Sequence, residues 1–300
     1  MVNVKPWIKA ARPRTLPLSL ACIGMGSFLA ASQDQFDTSI FLFSVLTTIF
    51  LQVLSNLSND YGDSVHGADS IHREGPSRTV QSGEISAEKM RSAIRFVAIL
   101  SFLSGTFLIW VAFSWDFQAL LAFLVLGVLA IVAAITYTSG KRPYGYVGLG
   151  DLSVLLFFGL AGVLGTYFLY TKTLEWPILL PALSCGLFSV AVLNLNNIRD
   201  IESDKLAGKL SIPVRIGRSN AVIYHWSLLI AAIAAALIFV LKDFQGYLQL
   251  VFLVSVPLII INAKAAKSKI EPAELDPYLK QLALTTLLFV VAFGLGLLLS

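Results

Sequence analysis

Leu54-Ser55-Asn56-Leu57-Ser58-Asn59-Asp60-Tyr61-Gly62-Asp63 closes one long apolar run of this chain. Leu193-Asn194-Leu195-Asn196-Asn197-Ile198-Arg199-Asp200, followed by Asp204, closes another. Carboxylates are scarce where 56% of the residues are hydrophobic and 13% charged. Gathering them twice, each time behind asparagines at the end of an apolar run, costs free energy unless something cationic neutralises them. These two junctions mark where apolar helices leave the hydrocarbon, and the rest of the architecture is counted from them.

Outward from the junctions, apolar stretches of membrane length recur. A segment of about 20 apolar residues spans roughly 30 Å of hydrocarbon as a helix. Nine are predicted, at about 16–31, 39–57, 94–113, 117–138, 150–170, 176–196, 220–241, 246–263 and 281–299. A mean hydropathy of +0.77 excludes an ordinary soluble domain. The expected fold is all-α: one polytopic transmembrane bundle of nine helices occupying residues 1–300. The start of the chain, basic and carrying Trp7, reads as an anchor and not as a cleavable leader. Cys22 and Cys185 lie inside apolar runs and read as packing residues.

Lysine and arginine placement sets the orientation. With the N-terminus inside, the segments 1–15, 57–93, 139–149, 197–219 and 264–280 face the cytosol, and only Lys172 and Lys242 fall in outer loops. That asymmetry is the positive-inside pattern, and Trp110, Trp115 and Trp176 sit at outer ends as an aromatic belt would place them. The expected location is the cell inner or plasma membrane, multi-pass, with the N-terminus and both acidic junctions cytosolic. The net charge of +4 fits this anchoring and carries no nucleic-acid signal. Nothing in the pattern reads out an oligomeric state.

Asp60 and Asp200 are 140 positions apart, a distance of four spans. Two parallel four-helix repeats with a ninth helix appended would place them equivalently. If the second and sixth helices continue past the hydrocarbon, Asn56, Asp60 and Asp63 share a face, and so do Asn196, Asp200 and Asp204. Each stripe offers hard oxygen ligands. Mg²⁺ takes one or two carboxylates and completes its octahedron with water and phosphate oxygens. Asp60, Asp63, Asp69, Asp200 and Asp204 are therefore the expected ligands, with Asp60, Asp63, Asp200 and Asp204 at the chemical centre. Helix-end Asp and Asn often merely cap or meet water, which would explain one cluster more readily than two at equivalent positions. Asn56, Asn59, Asn196 and Asn197 are expected to contact substrate. So are the basic residues Arg73, Arg78, Lys141, Arg142, Lys205 and Lys209, since such side chains suit phosphate oxygens. Tyr137 and Tyr144 offer ring faces to a developing cation. His225, inside a span, reads as a packing residue, and Gly159, Gly162 and Gly165 as close helix contacts.

These motifs resemble the UbiA superfamily of intramembrane prenyltransferases. Asn-Asp-Tyr-x-Asp follows the second span, and Asp200-x3-Asp204-x3-Gly208-Lys209 follows the sixth. The stretches Asn56 to Asp69, Lys141 to Asp151 and Asn194 to Lys209 are similar to the branch acting on 1,4-dihydroxy-2-naphthoate. The family pattern Asn-x3-Asp-x3-Asp maps onto Asn59 and Asp63 and then meets Gly67, with Asp69 two residues later. The resemblance implies nine helices around a cavity, Mg²⁺ as cofactor, and the lipid bilayer with polyprenyl diphosphate and 1,4-dihydroxy-2-naphthoate as partners. It implies active-site loops at 57–93 and 197–219, and prenyl transfer with loss of diphosphate and CO₂ to give demethylmenaquinone. Alternatives are another aromatic acceptor, such as 4-hydroxybenzoate or homogentisate, and a transporter, which would move substrate without releasing diphosphate. No residue's spacing singles out a base for the ring hydroxyl.

Overall fold

Apolar runs of this length cannot leave backbone amides unpaired in hydrocarbon, so each closes its hydrogen bonds within a helix. In the computed structural model, which describes residues 4–65 and 77–300, nine helices are long and apolar enough to cross a membrane. They are α1 (Lys5–Ala31), α2 (Thr38–Val65), α3 (Ala87–Phe113), α4 (Phe117–Thr136), α5 (Gly150–Thr171), α6 (Trp176–Arg199), α7 (Ile212–Lys242), α8 (Tyr247–Ser268) and α9 (Pro272–Leu298). Every regular element among the described residues is helical.

Most of the helices overrun the predicted spans at the motif-bearing end. Hydropathy ends where polar residues begin, but the helical hydrogen-bond ladder continues as long as those side chains find partners inside the bundle. The loops predicted at 57–93 and 197–219 are correspondingly shorter. Residues up to Val65 and from Ala87 onward are helical in the first. The second contains the short helix Ile201–Leu206 and the first turns of α7. There α7 is kinked at Gly217, whose φ of 78° lies in the left-handed region that favours glycine. α1 is broken as well: Arg12, at φ 50°, separates Lys5–Ala11 from the single turn Pro13–Thr15 and the helix Leu16–Ala31.

Packing places α1 at the centre, against α2, α5, α6 and α9. The long pairs α2–α3 and α6–α7 lie side by side, each joined through a segment that begins with an acidic motif. α6 and α9 meet through an aromatic cluster, with Phe188 and Phe289 ring centroids 4.9 Å apart and Phe252 5.4 Å from Phe289. α4 lies at the opposite extreme, with none of its residues buried, as a helix facing lipid would be. His225 is buried and its Nε2 pairs with Asn262 Oδ1 at 3.0 Å, a packing role. Cys22 and Cys185 are buried in the apolar core.

Of Gly159, Gly162 and Gly165 on α5, the structure separates one from the others. A Cβ on Gly159 would lie 2.8 Å from both Ala182 O and Gly186 Cα of α6, and one on Gly162 would lie 3.2 Å from Cys22 Cβ. Around Gly165 there is open space, so it is not the close contact its spacing suggested. Gly159→Ala should lower unfolding stability in detergent by about 1–3 kcal/mol. Gly165→Ala should change it by no more than about 0.5 kcal/mol. Thermal unfolding of the two variants checks the contrast.

Candidate active site

Because α2 runs on to Val65, its last three turns present Asn56, Asn59 and Asp63 beneath the broken start of α1. Asn56 Nδ2 donates to Ala11 O at 2.8 Å and to Thr15 Oγ1 at 3.0 Å, which ties the N-terminal turn down over the bundle. Asn59 Oδ1 accepts from Thr138 Oγ1 at 3.1 Å. Asp63 is 6% exposed; its Oδ2 accepts from Arg78 Nη2 at 2.9 Å and its Oδ1 from the Tyr146 hydroxyl at 2.8 Å.

Asp60 faces elsewhere. Its Oδ2 accepts from Thr79 N at 3.1 Å and Thr79 Oγ1 at 3.0 Å, and its Oδ1 from Val80 N at 3.0 Å. These bonds satisfy the buried Asp60 carboxylate. Asp60 therefore anchors the returning segment and so sets Arg78, one residue before Thr79, beside Asp63. Asp60 lines neither cavity, and its expected place among the ligands rests on the sequence alone.

The second motif does not form one unbroken helical stripe. α6 ends at Arg199, Asp200 takes φ −98° and ψ 15°, and the short helix Ile201–Leu206 follows. Both Asp200 oxygens are taken by Arg199, whose Nε and Nη2 each donate at 2.7 Å. Asn196 Oδ1 accepts from Arg199 Nη2 at 2.9 Å. Asp204 Oδ1 accepts from Lys209 Nζ at 3.1 Å and its Oδ2 from Ser211 Oγ at 3.3 Å. Burial pushes the Asp204 carboxyl up from its ordinary pKa; Lys209 pulls part of that back, while the charges of Asp200 and Asp63 add to the rise. For Lys209 burial acts downward, but Asp204, Asp63 and Asp200 outweigh it and hold the ammonium protonated above its ordinary range. The two motifs thus share one electrostatic neighbourhood, with Lys209 between them.

The middle inner turn brackets both. Tyr146 reaches Asp63 with its hydroxyl, while its carbonyl accepts from Leu210 N at 2.8 Å. Arg215 Nη2 donates to Val147 O at 2.6 Å and its Nε to Leu210 O at 3.0 Å. Tyr137 and Tyr144 meet edge to face at 5.3 Å, and burial pushes the Tyr137 hydroxyl up to about 12.

Two cavities meet here. A polar chamber of about 200 Å³ is lined by Asn59, Asp63, Arg78, Asn196, Asn197 and Lys209, among others. A mostly apolar cavity of about 380 Å³ runs between α1, α2, α3, α4 and α5. Gln52, Asn56, Asn59, Tyr137, Val154, Phe158 and Leu193 line both, so this ring of residues is the boundary between them. The pair suits an amphiphile with an anionic head and a hydrocarbon tail.

Of the residues predicted for the site, Asp69 and Arg73 lie outside the described residues. Lys141, Arg142 and Lys205 are exposed and line neither cavity. Tyr144 lines only the apolar one. Sequence reasoning overlooked Tyr146, whose neighbours in the Tyr-Gly-Tyr turn gave no signal of a bond to Asp63. It also overlooked Arg12, Arg14 and Lys280 at the chamber wall, which read as topology determinants.

The donor set fits Mg²⁺ carried in by a phosphate ligand. Among the described residues the buried Asn197 Oδ1 has no hydrogen-bond partner, and Asn197 lines the chamber, so a hard oxygen is left for a cation or donor. No three acidic, histidine or cysteine side chains among the described residues form a ready ligand group. Asp63 and Asn197, which line the chamber, with Asp200 and Asp204, which do not, would hold an ion that completes its shell with substrate oxygens.

Comparison with known proteins agrees with this geometry. The sequence profile of the UbiA prenyltransferase family matches residues 19–280. The chain is 46% identical to 1,4-dihydroxy-2-naphthoate octaprenyltransferase of Haemophilus influenzae, over 100% of this chain and 98% of that one. It is 42% identical to the protein of the same name in Escherichia coli, over 99% of this chain and 96% of that one. Its fold is similar to that of an apo UbiA homolog from Aeropyrum pernix, with TM-score 0.68 and 18% identity over 100% and 99% of the two chains. It is also similar to that of a UbiA homolog from Archaeoglobus fulgidus bound to DMAPP and Mg²⁺, with TM-score 0.66 and 15% identity over 97% and 98%.

Asp60→Ala should destabilise the chain by about 1.5–3 kcal/mol, through lost hydrogen bonds to a charged acceptor. It should also raise amide exchange at Thr79 and Val80, and unchanged exchange there would remove the anchoring role. The raised pKa means that the folded chain binds a proton at Asp204 more readily than the unfolded chain does. Its contribution to stability is therefore present at low pH and lost as pH rises through the folded value. Since Lys209 opposes that rise, Lys209→Met should move the acid limb of divalent-cation binding to higher pH, as calorimetric titration across pH would read out.

Proposed function

The chain belongs to the UbiA prenyltransferase family, and from that premise we propose that it transfers a polyprenyl group from a polyprenyl diphosphate to 1,4-dihydroxy-2-naphthoate. Diphosphate and CO₂ leave, and the product becomes demethylmenaquinone after oxidation of the ring, a step of menaquinone synthesis. Two relatives with that acceptor in their names, similar over nearly the whole chain, support the choice. The observation that carries the mechanism is that Asp63 of the first motif and Asn196, Asn197 and Lys209 of the second line one chamber, which shares a wall with an apolar cavity; Asp200 and Asp204 line neither.

The isoprenoid tail lies in the apolar cavity and the diphosphate in the chamber, which puts the breaking C–O bond at the boundary ring. Arg78 and Lys209 donate to diphosphate oxygens and stabilise charge as it builds on the leaving group. Mg²⁺, held by Asp63, Asp200, Asp204 and Asn197, would add Lewis-acid stabilisation of the same oxygens. The ring faces of Tyr137 and Tyr144 stabilise the allylic carbon as it becomes cationic, by roughly 0.5–2 kcal/mol each. Val154, Phe158 and Leu193 limit water at that carbon, which would otherwise be hydrolysed. The acceptor ring then forms the new C–C bond at the carbon bearing its carboxylate. Loss of CO₂ returns that electron pair to the ring. Lysine and arginine placement supports a cytosolic N-terminus and chamber in the inner or plasma membrane.

Purified protein supplied with one prenyl diphosphate should release diphosphate and CO₂ with 1,4-dihydroxy-2-naphthoate and be inactive with 4-hydroxybenzoate or homogentisate. Turnover with another acceptor alone would overturn the assignment. EDTA should abolish turnover and Mg²⁺ restore it. Asp63→Ala and Asp200→Ala should each reduce it by at least about 100-fold while leaving the protein folded.

A further inference from the structure

Arg199 and Asp200 are adjacent in sequence and both buried, with side chains 1% and 6% exposed, and the guanidinium forks onto both carboxylate oxygens. A fork of this kind is among the strongest ion pairs a protein makes. It also matches the charge that Asp200 would offer to an incoming cation. The arrangement does not end there. Arg199 Nη1 donates to Asp276 Oδ1 at 2.6 Å, and the other oxygen of Asp276 accepts from Arg14 Nη1 at 2.8 Å. Charges therefore alternate along Arg14, Asp276, Arg199 and Asp200, from the broken start of α1 through α9 to the head of the second motif.

A buried guanidinium left without an anion is strongly destabilising. Were Asp200 its only partner, a divalent cation drawing on that carboxylate would leave Arg199 uncompensated at the moment of binding. Asp276 supplies a second anion. It belongs to a different helix, its side chain is 26% exposed, and it lines neither cavity. Its two oxygens accept from Arg199 and Arg14, so it can hold Arg199 in place when Asp200 is drawn to a cation.

We propose that Asp276 is a positioning residue for the second acidic motif: by holding Arg199 it orients the Asp200 carboxylate, and it takes over the guanidinium's charge when a divalent cation engages Asp200. This rests on the reading of the chamber as a cation-diphosphate site. Asp276 touches neither the substrate nor the ion.

The test follows thermal unfolding of the full chain in detergent while Mg²⁺ is titrated at fixed inorganic pyrophosphate. The wild-type midpoint should rise and saturate. Asp276→Asn should require at least about tenfold more Mg²⁺ for half of that rise, the usual cost of losing a partner behind a metal ligand. Asp276→Glu, which keeps the charge, should return the requirement towards wild type. A role confined to tying α9 to α6 would lower the metal-free midpoint and leave the half-saturating Mg²⁺ unchanged, and that result would overturn the proposal. Should Asp276→Asn not accumulate folded, Arg199→Lys serves in its place. It keeps the buried charge but loses the planar fork, so the Mg²⁺ requirement should again rise, and an unchanged value would equally overturn it. No midpoint response in the wild type would remove the diphosphate reading itself and this inference with it, whereas a wild-type response shared equally by the variants removes only the role of Asp276.

Discussion

The structure depends on matching three buried carboxylates at the end of the bundle each with a cation. Asp63 is paired with Arg78, Asp200 with Arg199 and Asp204 with Lys209. All three acids are no more than 6% exposed, so an unpaired charge at any of them would be costly. The pairing is what allows two helices built for hydrocarbon to end in acid without pushing those ends into solvent.

That requirement explains how the connecting segments are laid out. Asp60 accepts the backbone of Thr79 and Val80, and the chain direction so fixed delivers Arg78 to Asp63. The turn at Tyr146 joins the two motifs from the side, giving its hydroxyl to the first and its carbonyl to the segment after the second. Asn56 holds the N-terminal turn over the chamber. Each of these contacts lies at the polar end of the molecule. The apolar cavity lies between α1, α2, α3, α4 and α5, and the last three also carry exposed apolar residues.

Much of the fold was legible in the residues. Membrane-length apolar runs give nine helices because hydrocarbon leaves the backbone no other partner, and the acidic motifs fell at the ends of α2 and α6, as expected. Helix ends were read short, since hydropathy cannot see that Asn59 or Asp63 will find partners and keep the ladder going. Glycine spacing was a weaker guide: Gly159 is pressed against α6, and Gly165 borders open space. Within the site, Asp63, Arg78, Asn196, Asn197 and Lys209 come to one chamber, whereas Lys141, Arg142 and Lys205 stay in solvent. A basic residue near a motif in sequence has the same pattern whether it turns inward or outward.

What the sequence determined by itself was therefore the set of helices and the end at which the polar chemistry gathers. These follow from composition and local spacing, which act over a few helical turns. Only the tertiary structure decided that Asp60 serves the loop while Asp63 serves the chamber, that Tyr146 bridges the motifs, and that Asp276 stands behind Arg199. Those assignments depend on which donor arrives within about 3 Å of a given oxygen, and that is set by the packing of helices far apart along the chain.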